Sequence, residues 1–79
     1  MDNTTNKART IIEKYMEKSH KGVVASTQVI YSDELYALLE NNGFTNDESF
    51  KAIVNLKNDG FLKKTSGATY RVEGKYGKQ

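Results

Sequence analysis

Cysteine is absent from this chain, and histidine occurs once, at His20. Without thiols there is no disulfide and no thiolate metal site, and a lone imidazole does not assemble a zinc or iron centre. A solvated residue at a helix end is the plainer reading of His20. No apolar run approaches the length of a membrane span, and the N-terminal MDNTTNKART lacks the apolar stretch of a signal peptide. No serine stands in a nucleophile motif, and Gly-rich phosphate loops are missing. Carboxylates such as Asp33 and Glu34 are placed as helix-start charges rather than as an acid–base pair. These absences point away from an enzyme, a cofactor, a small-molecule ligand or a membrane protein. The expectation is a soluble cytoplasmic protein held together by packing alone.

What is present suits a single domain over residues 1–79. The chain is 37% apolar and 28% charged, too apolar for disorder, and at 79 residues core area is scarce. The net charge of +2 is unevenly spread. Residues 32–59 set Lys51 and Lys57 against Asp33, Glu34, Glu40, Asp47, Glu48 and Asp59, a local charge of −4. Residues 60–79 set Lys63, Lys64, Arg71, Lys75 and Lys78 against Glu73, a local charge of +4. A polyanion is drawn to that C-terminal quarter first.

The elements read in order. Asn3, Thr4 and Thr5 are candidate caps of a first helix, whose apolar stripe is Ala8, Ile11, Ile12, Tyr15 and Met16. That pattern stops at Ser19-His20-Lys21-Gly22. The β-branched run VVASTQVIY over 23–31 is expected to hold a short strand at Gln28–Tyr31, with Val23–Thr27 either loop or strand. Ser32 reads as the cap of a second helix carrying Leu35, Leu38 and Leu39 and ending at Asn42-Gly43. Thr45 and Glu48 have capping-box spacing, so a third helix is expected over roughly 46–59, burying Phe50, Ile53 and Leu56 with Val54 at the edge. Gly60 stops it. Leu62/Lys64 alternate with Lys63/Thr65, and Tyr70/Val72 with Thr69/Arg71, on either side of Ser66-Gly67, which reads as a β-hairpin. The expected ordered core is 5–72, followed by a flexible basic tail over 73–79.

The phrases SDELYALLENNGFT and IVNLKNDGFLKKTSGATYRV, in this order of elements, resemble the winged helix-turn-helix superfamily. The resemblance implies an α+β fold of three helices, a short strand and a C-terminal hairpin wing. It also implies a non-catalytic role on double-stranded DNA, with the third helix in the major groove and the wing on the backbone or minor groove. Such a chain would be a small transcriptional regulator or a DNA-architectural factor.

Taking Ile53 as the buried centre, the opposite face of the third helix holds Glu48, Lys51, Asn55 and Asn58. Lys51 can donate to guanine or phosphate, and Asn55 and Asn58 match adenine in the major groove. Thr45, Asn46 and the free amides of the helix start can hold a phosphate. Lys63, Lys64 and Arg71 are the wing's candidate contacts, although they equally suit protection of an exposed hairpin from edge pairing. Asp47, Glu48 and Asp59 oppose a polyanion. The −4 segment therefore keeps a second reading open, a winged-helix module that binds a protein rather than DNA, as an adaptor or inhibitor carried by a virus or plasmid would. Tyr36, with one face of Phe50 or Val54, is expected at the surface, a composition that favours a partner surface, a homodimer through the first helix among them.

Overall fold

The computed structural model describes residues 2–19, 29–65 and 67–74. Their order is α1 (Asn3–Ser19), β1 (Val29–Tyr31), α2 (Ser32–Asn41), α3 (Asn46–Asn58), β2 (Leu62–Lys64) and β3 (Thr69–Val72). The described residues are thus α+β, with three helices and one antiparallel sheet of order β1-β3-β2, an arrangement compatible with a winged-helix layout. Expectations about His20, Lys21, Gly22, Val23–Thr27, Gln28, Ser66 and the tail residues Lys75, Tyr76 and Lys78 lie outside the described residues. No described helix is long and apolar enough to cross a membrane.

The helix ends follow local chemistry, with two shifts from expectation. Asp2, not Asn3–Thr5, caps α1: its Oδ1 accepts from the Thr5 amide at 2.7 Å and its carbonyl from Asn6 at 3.1 Å. Thr5 is freed from capping and buried at 1% exposure. At α2 the cap is Tyr31, one residue before Ser32, because Glu34 reaches back to the Tyr31 amide at 3.4 Å. Glu34 also accepts from the Tyr15 hydroxyl, which ties α2 to α1. At α3 the Thr45/Glu48 capping box is formed in both directions, at 2.9 and 3.1 Å. Gly43 and Gly60 hold φ of 93° and 91°, the left-handed geometry that closes α2 and α3 and turns the chain toward the next element.

One buried cluster takes residues from all six elements: Ala8, Ile12 and Met16; Ile30; Leu35 and Leu39; Ala52, Ile53 and Leu56; Leu62; Tyr70 and Val72. Phe44 and Phe61, just outside the helices, complete it, and Ile11, Tyr15, Tyr36 and Leu38 pack at its rim. Leu35, Leu39, Leu56 and Leu62 are at most 1% exposed, and each contributes about 1.5–3 kcal/mol through burial. Tyr36 is therefore half-buried against the core rather than standing free.

The stripe of α3 differs from the one expected. Ser49 and Ala52 are buried along with Ile53 and Leu56, whereas Phe50 is 56% exposed. Small buried side chains at 49 and 52 suit a close approach of α3 to α1, where Thr5 and Ala8 are buried. A bond between the helices accompanies that packing: Asn55 Nδ2 donates to Thr5 Oγ1 at 3.0 Å.

The tie between α1 and α3 is testable by a double-mutant cycle. Thr5→Val and Asn55→Ala should each cost about 1–2 kcal/mol in urea unfolding. The pair should couple by at least ~0.5 kcal/mol. Strict additivity would show that the bond contributes nothing.

Candidate nucleic-acid interface

The orientation of α3 decides what it can offer a ligand. At about 100° per residue, the buried Ser49, Ala52, Ile53 and Leu56 centre roughly 50° away from Ile53, on the α1 side. The outward face is then Asp47, Lys51, Val54 and Asn58, flanked by Phe50 and Lys57 on one side and by Glu48 and Asn55 on the other. Asn55 is consequently removed from the set of base readers: it is half-buried and committed to Thr5. Lys51 and Asn58 remain exposed.

The start of α3 is largely engaged with the protein itself. The Thr45 amide and hydroxyl serve the capping box, although the hydroxyl keeps its own proton for a further acceptor. Asn46 Nδ2 donates to Glu40 Oε2 on α2 at 3.1 Å. Two first-turn amides, those of Asn46 and Asp47, are left for an anion beside the exposed carboxylates of Asp47 and Glu48. Asp59 turns elsewhere, accepting from the Phe61 amide at 3.0 Å.

The basic residues of the hairpin do not form one patch. Neighbouring residues on a strand point to opposite faces, so Lys63 and Lys64 diverge. Lys63 stands directly opposite Arg71 on the outer face of the sheet, and Arg71 is paired on its other side with Val29. Lys64 pairs with Tyr70 on the core-facing side. Its Nζ lies 4.8 Å from the Tyr70 ring centre and donates to the Gly67 carbonyl at 2.9 Å.

A second cation meets the same ring. Lys57 Nζ, from the last turn of α3, is 5.9 Å from the Tyr70 centre. Helix and hairpin cations therefore converge on one aromatic side chain, which itself is buried. Lys57 was not among the sequence candidates. Its signal was its place in the last turn of α3, just ahead of the Gly60 turn that leads into the hairpin.

Among the described residues the ion pair formed is Arg9–Glu13 on α1, at 3.4 Å. Lys51, Lys57, Lys63, Lys64 and Arg71 have no described carboxylate within that kind of distance, so their charge is available to a partner. No group of described His, Asp or Glu residues is placed to hold a metal ion. Compared with family models, curated proteins and solved structures, the chain matches none.

Tyr36 reports on the edge of this site. Burial raises its pKa above the usual tyrosine value, and the neighbouring Tyr70 hydroxyl and Glu40 carboxylate act in the same direction. A tyrosine that ionises later in the folded state adds stability that is complete below the unfolded-state pKa, about 10. That stability is lost as pH rises through the higher folded-state value. Absorbance titration should show a late-ionising phase that loses one tyrosine's amplitude in Tyr36→Phe. The alkaline loss of stability should become shallower in that variant. A late phase of unchanged amplitude in Tyr36→Phe would place Tyr36 in water instead.

Proposed function

We propose that this protein is a non-catalytic binder of double-stranded DNA with a winged helix-turn-helix layout, acting as a small transcriptional regulator or DNA-architectural factor. The observation that carries the reading is the convergence of Lys57 and Lys64 on Tyr70. It joins the cationic flank of α3 to the inner side of the hairpin, which follows α3 after a glycine turn. Lys51 extends the same charge along the outward face, and Asn58 offers a paired donor and acceptor for adenine. Thr45 and Asn46 stand at the end of α3 nearest the acidic groups and contribute little. Lys63 and Arg71, on the far side of the sheet, are placed for a separate backbone contact or for a second partner.

A protein-interaction role is the other reading, and one observation favours it: an exposed phenyl at Phe50 beside the outward carboxylate of Asp47. A homodimer belongs to the same reading.

Fluorescence anisotropy on a mixed-sequence duplex separates the two. The DNA reading expects binding at micromolar protein in low salt, with log affinity falling against log salt by about 0.9 per phosphate neutralised. Lys57→Ala and Lys64→Ala should each make that slope shallower by about one contact. No binding at micromolar protein sinks the reading.

A further inference from the structure

We infer that Phe50 reads the C5-methyl group of thymine in the major groove, which makes this chain's base discrimination chiefly apolar. The inference rests on the duplex-binding reading and adds what α3 recognises there.

Of the large apolar residues in α3, Phe50 alone is more than half exposed, at 56%. It lies four residues after Asn46, which is bonded to Glu40 on α2, and seven before Lys57, which sits over Tyr70. Residues at these spacings share one side of a helix, so Phe50 occupies the flank that faces α2 and the hairpin. Val54, half-buried, is the next residue along the same side. The apolar pair is bracketed by the ammonium groups of Lys51 and Lys57, neither of which is held by a described carboxylate.

A phenyl between two cations that no described carboxylate neutralises suits a polyanion that has an apolar spot inside it. Among the major-groove groups that tell the base pairs apart, the thymine methyl is the apolar one. The hydrogen-bonding alternative is thin, because Asn55 is committed to Thr5 and Asn58 alone is left as an amide reader on the outward face. Asp47, the carboxylate on that face, opposes phosphate contact but can accept from a cytosine amino group. The cations therefore hold the backbone while the phenyl discriminates.

The test compares two A·T-rich duplexes of identical sequence, one with thymine and one with deoxyuridine at every thymine position. Uracil keeps the pairing and the O4 acceptor and lacks only the methyl. By anisotropy at low salt the wild-type chain should bind the thymine duplex more tightly, by about fourfold for each methyl contacted. Phe50→Ala should bind both duplexes alike, at the level the wild type shows for deoxyuridine. Circular dichroism checks that this exposed substitution leaves the fold intact, and the wild-type comparison stands without any variant. Equal wild-type affinity for both duplexes overturns the inference and leaves DNA binding standing, as does a thymine preference that persists in Phe50→Ala. Failure to bind either duplex at micromolar protein overturns both, and an apolar protein contact then becomes the use of Phe50.

Discussion

How far α3 is rolled about its own axis is the constraint on which the rest depends. A roll of roughly 50° on a helix about 10–12 Å across moves a side chain by about 5 Å. That distance separates a core residue from a surface one. Ser49 and Ala52 let α1 come close on one side, and the Asn55–Thr5 bond at 3.0 Å holds the register. Three consequences follow together. Asn55 turns in, Phe50 turns out, and Lys57 is delivered to Tyr70. None of these could change alone, because Phe50, Asn55 and Lys57 sit on one rigid helix packed against α1, α2 and β2.

The sheet imposes the second division. With β3 central and both neighbours antiparallel, Ile30, Leu62, Tyr70 and Val72 face the core, while Val29, Lys63 and Arg71 face away. Lys63 and Arg71 are like charges directly across a strand pair, an arrangement that costs stability unless something neutralises it. Lys64 avoids that cost by lying over Tyr70 and bonding to Gly67. The edge strand β1 is blunted too: it is three residues long, and Glu34 occupies the Tyr31 amide. Strand pairing with another chain is thereby discouraged on that side, which shifts any association of this protein toward side-chain contacts.

Local signals were legible in the sequence. The Thr45/Glu48 capping box, the Gly43 and Gly60 turns, the α1 stripe and the hairpin alternation all depend on residues a few positions apart, and each is found where it was anticipated. The misses have tertiary causes. Phe50 joins Ile53 and Leu56 by helical spacing, yet Ser49 and Ala52 are the residues buried with them, because small residues are buried where a partner helix comes close, and residues three to four apart do not reveal that. The cap of α1 slipped from Asn3–Thr5 to Asp2 because Thr5 is wanted in the core opposite Asn55. The division of Lys63 from Lys64 is different in kind. Strand periodicity alone implies it, and grouping the two lysines by charge concealed it.

Electrostatics at the two ends of α3 explain why contact with a polyanion would be led from the hairpin side. Asp47 and Glu48 in the first turn and Lys57 in the last each complement the helix dipole, at about 0.3–1 kcal/mol apiece. The helix is thus stabilised by the same acidic residues that would repel phosphate, at the end where free amides would otherwise attract it. Removing those carboxylates would weaken the helix that carries Phe50, Lys51 and Lys57. At the opposite end the two demands agree: Lys57 stabilises the helix terminus, and with Lys64 it supplies cations already ordered by Tyr70. Ordered lysines lose less rotamer freedom on meeting an anion than free ones do. A duplex approaching this surface would therefore gain most at the α3–hairpin junction and least at the start of α3. Phe50 and Val54 lie between the two, where apolar contact rather than charge would decide the fit.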